Sequence, residues 1–447
     1  MNKTWNLKEM KKLIPLALPV LVVNLSIVGM GAVDAIVAGR AGVTDMAAVA
    51  LGSSVYLPVA LFACGVLMII GPVIANMRGK SHESRVGYMT NHGLWLALML
   101  SLVSMPVIYV LRNVFGWISD DVAMCQMASA YMFAIMWGLP GFMLFVNLRS
   151  FLEGFARTRP AMIIGLVGLA INVPCNVMFV YGKFGMPALG GAGCGVATAV
   201  VFWFNALVLW LYVAKQQYFR KFKLMDKFSK PDGRAFKQIW KLGMPIGLSF
   251  FLEVSLFSCI VFLVARLGED YVAAQQVVIS LTGVIYMIPQ SVGAAGTVRV
   301  GYSLGRGEYV RARYVAGVSL VLGLLLAVLT ALLLVLFRHP LAGMYTDDAG
   351  VLAIAATVLL FAAVFQLADA TQCVASYALR GYKITRVPML IHAVAFWGFG
   401  LLPGSLANLI ALRMAGDRRI WWRFHVYSLP MLLWAAATGY GLLLILH

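Results

Sequence analysis

The sequence predicts an all-α polytopic membrane protein: twelve transmembrane helices forming two six-helix bundles related by a pseudo-two-fold axis along the membrane normal. Three observations carry this. The 447 residues are 62% hydrophobic and only 12% charged, where soluble domains carry roughly 25% charged residues. Apolar runs of about 20 residues recur along the chain, each long enough to cross a bilayer as a helix. Basic residues gather in every second loop between these runs, which is the positive-inside pattern.

The spans are placed at 13–37, 47–76, 90–112, 126–152, 160–182, 190–214, 240–266, 273–300, 315–337, 350–377, 388–411 and 424–445. The basic start, MNKTWNLKEMKK, runs straight into the first span with no small-residue cleavage site, so a retained helix is expected rather than a signal peptide. Lys3, Lys8, Lys11 and Lys12 precede span one. Arg78, Lys80 and Arg85 follow span two, and Arg157 and Arg159 follow span four. Arg306, Arg311 and Arg313 follow span eight, and Arg380, Lys383 and Arg386 follow span ten. All fall on one side, which is therefore expected to be cytoplasmic, with the N-terminus there too. The expected location is the plasma membrane, as a multi-pass protein.

The net charge of +18 does not point to nucleic acid, because it is spread over these loops. Its densest stretch, from Lys215 to Lys241, contains the turn signal Lys230-Pro231-Asp232-Gly233. It reads as a solvated linker between two halves. The expected domains are thus 1–214, a six-helix bundle, 215–239, a basic cytoplasmic linker, and 240–447, a second six-helix bundle.

The two halves repeat. A shift of 226 residues aligns Pro19 with Pro245, Arg40 with Arg266, Gly79 with Gly305, Arg85 with Arg311 and Tyr88 with Tyr314. One more residue of shift aligns Gly154 with Gly381 and Arg159 with Arg386. Six spans per unit is an even number, so both units enter the membrane from the same side and form a parallel repeat.

Three carboxylates break that symmetry. Asp34 corresponds to Ile260, Glu253 to Ile27 and Asp369 to Met143. Each lies inside an apolar run, where a charge is costly and usually marks an ion or substrate pathway. Two carboxylates facing one cavity can hold a sodium ion or take protons, and an organic cation can compete for the same charge. That competition is a simple exchange mechanism. Tyr286 can add an aromatic face for a cation–π contact. Asp347 and Asp348 stand in the outer loop after span nine, where solvation is the plainer reading.

Other features are structural. The six cysteines are scattered without a CxxC pair, so small buried hydrophobes are expected and neither a metal site nor a cofactor. Prolines 19, 58, 106, 140, 174, 245 and 289 lie inside spans and can kink them. Gly190-Gly191-Ala192-Gly193 and Gly293-Ala294-Ala295-Gly296 allow close helix approach. Neither is followed by the Lys-Ser/Thr of a phosphate loop. No HExxH is present, and no enzyme is expected.

The stretch Val180-Tyr181-Gly182-Lys183-Phe184-Gly185-Met186-Pro187-Ala188-Leu189-Gly190-Gly191-Ala192-Gly193 resembles a signature of the multidrug and toxic compound extrusion (MATE) family, in its NorM branch. So do Val33-Asp34 with Ala38-Gly39, Arg299-Val300-Gly301-Tyr302-Ser303-Leu304-Gly305, and Leu379-Arg380-Gly381-Tyr382-Lys383. The resemblance runs over about 13–403. It implies a monomeric antiporter that exports small cationic drugs and dyes, fluoroquinolones among them, driven by sodium and in some members by protons. It implies a cation site at Glu253, Asp369 and Tyr286, and substrate contacts at Asp34, Gln276, Asp347 and Asp348. Beyond these partners only membrane lipid is expected. The position four residues before Asp369, a tyrosine in many NorM proteins, is Phe365 here, so that hydroxyl ligand is missing.

After Leu402-Pro403-Gly404 the chain leaves the family pattern. Arg413, Asp417, Arg418, Arg419 and Arg423 appear where a smooth twelfth span is expected, and twelve spans place these arginines outside. The competing reading is a lipid-linked oligosaccharide flippase of the same broad fold. Its cavity needs basic residues for a diphosphate, and the acidic interior opposes it.

Overall fold

A computed structural model describes residues 3–395, apart from 83, 118–120, 221, 223–230, 266–268 and 347. Fifteen α-helices follow one another: α1 (Lys3–Ala41), α2 (Val43–Met68), α3 (Ile70–Gly79), α4 (Ser84–Leu111), α5 (Val122–Met136), α6 (Leu139–Gly154), α7 (Arg159–Tyr181), α8 (Gly191–Lys215), α9 (Gln217–Arg220), α10 (Gly233–Ala265), α11 (Glu269–Gly305), α12 (Tyr309–Leu336), α13 (Arg338–Gly343), α14 (Ala349–Gly381) and α15 (Arg386–His392). No strand occurs among the described residues. In lipid the backbone must satisfy its own hydrogen bonds, and continuous helices do so.

The first ten expected spans are all found. Nine helical stretches are long and apolar enough to cross a membrane, and a tenth is the α5–α6 pair, bent by 46°. The eleventh expected span begins in α15. The rest of it, the twelfth span and the arginine-rich tail lie outside the described residues.

The bend in the fourth span has a local cause. Pro140, near the start of α6, has no N–H to continue the ladder. The neighbouring Trp137 carbonyl instead accepts a hydrogen bond from Trp203 Nε1 of α8 at 2.9 Å. Gly138 packs so tightly on Ala199 of α8 that a Cβ would collide with its backbone. Break and close approach thus occur together.

The described residues pack as two units: those in 22–251 form one, and those in 3–21 together with those in 252–395 form the other. This division differs from the repeat boundary at 215–239 because α1 and α10 each give their first part to one unit and the remainder to the other. Two glycines explain the assignment of the start of α10. Gly243 and Gly247 face the backbone carbonyls of Val66 and Phe62, leaving no room for a side chain, and such small residues let helices approach closely.

The described residues at both ends of the basic linker are held by side-chain contacts. On its first flank, the buried Phe219 and Phe222 join Phe151 and Phe155 in an aromatic cluster. Arg157 lies over the Tyr218 ring at 4.2 Å and Arg78 over Phe155 at 4.5 Å. At its other end, Asp232 precedes α10. Its carboxylate accepts a hydrogen bond from the Tyr88 hydroxyl of α4, and its backbone N–H donates to His92 Nε2 at 3.0 Å. The Tyr88 hydroxyl holds the Asp232 carboxyl below its usual range.

In the other unit the start of α1 is tied by charge. Glu9, 6% exposed, pairs with Arg299 of α11, with Arg311 of α12 at 3.4 Å and with Lys12 at 3.6 Å. Leu13 and Ala17 continue this packing against Val292, Ala295, Val318 and Leu322.

Candidate cation and substrate sites

Asp34 lies on α1 within the 22–251 unit and is 3% exposed. Its Oδ1 accepts from Asn176 Nδ2 at 2.7 Å, with a longer contact from Asn172 Nδ2 at 3.4 Å. Its Oδ2 accepts from Thr198 Oγ1 at 2.7 Å. Asn172 and Asn176 stand one turn apart on α7, so both amides project from one face. Thr198 comes from the small-residue helix α8 and is also reached by Asn172 Nδ2, at 3.3 Å. The Cys194 thiol donates to the Asp34 carbonyl at 3.5 Å. Both oxygens of the carboxylate are therefore engaged, which is what a buried charge requires.

The Gly190–Gly193 stretch sits beside this network. Gly190 has φ +56°, which favours glycine, and the Gly191 N–H donates to Asp45 Oδ1 at 2.6 Å. The carboxylate satisfies an open donor at the start of α8 and complements the helix dipole.

The second centre lies in the other unit. Glu253 on α10 has the Tyr286 hydroxyl of α11 beside it. Asp369 on α14 neighbours Glu253, and Cys373, one turn further along α14, neighbours Tyr286. Both carboxylates are half-buried. The three sequence-predicted cation residues thus converge from three helices.

The other predicted substrate residues do not join them. Gln276 is exposed, and ten residues along α11 place it about 15 Å from Tyr286 along the helix axis. Asp348 is exposed at the N-cap of α14, where Oδ1 accepts from Val351 N at 2.8 Å. That is a capping role, about 30 Å up the helix axis from Asp369. Asp347 lies outside the described residues. Phe365 is half-buried on α14 and brings no hydroxyl.

Sequence reasoning misses several participants. Asn172, Asn176 and Thr198 complete the Asp34 network, and two amides at i, i+4 in an apolar span are the available signal. Arg149 and Glu153 form a 2.7 Å ion pair on α6, and Arg149 further donates to Asn24 at 2.8 Å. Arg380, expected in the loop after span ten, is instead buried at the end of α14, with its guanidinium over the Tyr377 ring at 4.0 Å.

Long apolar helices with carboxylates in their interior define a multi-pass membrane protein. The MatE family model matches residues 19–178 and 245–406, one copy in each half. The chain is 55% identical over 402 residues to a probable multidrug resistance protein NorM of Neisseria meningitidis serogroup B, covering 90% of this chain and 87% of that protein. It is 42% identical to the multidrug resistance protein NorM of Vibrio vulnificus, covering 90% and 88%. Among solved structures, the MATE transporter NorM-NG in complex with rhodamine 6G and a monobody superposes with a TM-score of 0.79 at 50% identity, covering 94% of this chain and 90% of that one. The eukaryotic MATE transporter AtDTX14 shares the fold at 20% identity, with a TM-score of 0.86 over 99% and 96% of the two chains. The chain belongs to the MATE family and is a multidrug efflux transporter of the NorM type.

Proposed function

We propose that this transporter exports organic cations and fluoroquinolone-like drugs by alternating access, in exchange for an inward-moving sodium ion or proton. The observation that carries this reading is the convergence of Glu253, Asp369 and the Tyr286 hydroxyl within one apolar unit. Two like charges repel in a medium of low dielectric, and a bound cation relieves that repulsion. Sodium takes carboxylate and hydroxyl oxygens as ligands. A proton neutralises one carboxylate outright. A cationic drug answers the same charge, so drug and coupling ion exchange at one centre. The absence of a hydroxyl at Phe365 leaves Tyr286 as the hydroxyl donor supporting sodium.

Gln276, Asp347 and Asp348 are assigned to drug capture along the approach to this centre. Asp34 is enclosed by Asn172, Asn176 and Thr198, so a drug contacts it only after displacing those donors. The basic loops support a cytoplasmic N-terminus, and the bacterial relatives support the inner membrane as its location.

The test is efflux of rhodamine 6G from cells expressing the chain, with an inward sodium gradient at fixed pH and, separately, a proton gradient at fixed sodium. Acceleration by sodium supports sodium exchange. Acceleration by protons alone keeps the export reading and assigns coupling to carboxylate protonation. Efflux indifferent to both overturns the exchange mechanism.

A further inference from the structure

The 22–251 unit holds a cavity apart from the centres described above. It lies where α4 ends and α5 begins, beside the short 3-10 turn Val114–Trp117. Its volume is about 680 Å³, within the range of small-molecule pockets. α4 has 28 residues, about 40 Å of helix. The cavity and Arg85, in the first turn of α4, therefore stand at opposite ends of the span.

The lining has one sign of charge. Arg112, Asn113, Gln126 and Ser129 contribute polar side chains, Val122 and Phe133 apolar ones, and among the described residues no acidic side chain lines it. The Arg112 guanidinium lies 4.0 Å from the centre of the Tyr109 ring and 5.2 Å from that of Phe133. Two rings hold the cation in place but offer it no oxygen. Its Nε is buried without a hydrogen-bond partner, a costly state for a charged donor. The described carboxylate that follows in the chain, Asp121, is engaged elsewhere: it caps α5 by accepting from Met124 N at 3.1 Å.

The surface beside the cavity is apolar. Val107, Tyr109 and Val110 in the last turns of α4 are exposed, as are Phe133 and Trp137 at the end of α5. Exposed aromatic rings next to aliphatic side chains mark the level at which lipid headgroups meet acyl chains.

We propose that this cavity binds an anionic phospholipid. Its phosphodiester takes the Arg112 guanidinium together with the donors of Asn113, Gln126 and Ser129, and its acyl chains follow the exposed face of α4 past Tyr109 and Val110. A guanidinium presents parallel N–H groups that match phosphate oxygens. A lipid answers both the charge and the apolar surface, whereas a free anion answers only the charge. The site depends neither on the exchange mechanism nor on which face of the membrane is cytoplasmic.

The experiment is native mass spectrometry of the purified full-length chain with phosphatidylglycerol or phosphatidylcholine added. The unaltered protein retains one phosphatidylglycerol molecule about tenfold more tightly than phosphatidylcholine, the scale of one charge-assisted hydrogen bond. Arg112→Gln loses that preference for this one molecule, and Arg112→Lys, which keeps the charge without the fork, loses part of it. Equal retention of the two lipids by the unaltered protein overturns the proposal and needs no variant to fold. So does retention unchanged in Arg112→Gln, the result expected if Asp120, which lies outside the described residues, already holds the guanidinium. A second measurement places the lipid. Val122→Cys puts a thiol on the exposed rim, and maleimide modification of it should be slower in nanodiscs of phosphatidylcholine with phosphatidylglycerol than in phosphatidylcholine alone. Inorganic phosphate that slows the modification equally in phosphatidylcholine nanodiscs overturns the lipid assignment in favour of a free anion.

Discussion

The two units bury acidic groups in opposite ways. In the 22–251 unit a single carboxylate, Asp34, is surrounded by donors, and its charge is answered by two amides and a hydroxyl from α7 and α8. In the other unit two carboxylates, Glu253 and Asp369, share a centre with one hydroxyl, that of Tyr286. The first arrangement holds a charge without outside help. The second is short of positive charge, and that deficit is what a transported cation can fill. A repeat that supplied two equivalent scaffolds has been fitted with one self-sufficient centre and one incomplete one.

The sharpest way to break this comparison is to neutralise each centre in turn. Glu253→Gln should lower cation-driven efflux of rhodamine 6G by about tenfold or more, because it removes half of the charge available to the cation. If efflux survives intact, the incomplete centre is not the coupling site. Next in size is Asn176→Leu. It strips Asp34 of a 2.7 Å donor and should destabilise the purified protein by about 1.5–3 kcal/mol, the range for hydrogen bonds to charged groups. Asp34→Asn in the same background should recover much of that loss in a thermal-unfolding assay, since a neutral amide needs its neighbours less. Tyr286→Phe deletes only a hydroxyl. It should weaken apparent cation affinity about fivefold, close to 1 kcal/mol, while maximal efflux stays near normal. An equal loss in both would place Tyr286 outside the cation site.

The smallest effect belongs to Tyr88→Phe, outside both centres. Tyr88 holds the Asp232 carboxyl below its usual range. A carboxyl depressed in the folded state contributes stability above its unfolded value of about 4, and that contribution is lost as pH falls through the lower folded value. Removing the hydroxyl should therefore change stability slightly at neutral pH and not at all in strong acid. Thermal unfolding at several pH values measures it.

How much of this is legible in the sequence depends on the kind of signal. The first ten spans can be read because a run of about 20 apolar residues matches the thickness of a bilayer and exceeds what a soluble core ordinarily needs. Glu253 and Asp369 can be read because a charge inside such a run stands out. Asn172 and Asn176 cannot be read as readily, since an amide carries no charge and disturbs hydropathy little. The positive-inside pattern sends Arg380 to a loop because it accounts for any arginine near a span end. The broken fourth span depends on α8, whose Trp203 and Ala199 make the break tolerable. The division of α1 and α10 between units is invisible for the same reason. A repeat is a property of the chain, whereas packing is a property of partners far along it.

The Glu9 cluster has a consequence for how the molecule is made. Glu9 and Arg299 are 290 residues apart, and Glu9 and Arg311 are 302 apart. At roughly 5–20 residues per second, the ribosome supplies these arginines some 15–60 seconds after Glu9 has emerged. During that interval the first helix has been delivered to the membrane while its permanent partners do not yet exist. Lys12, one turn away at 3.6 Å, is the only one of its three ionic partners already present, so it serves as an interim counterion. The segment around Glu9 is thus made well before its partners, and nascent chains arrested before Arg299 should still expose that segment to protease.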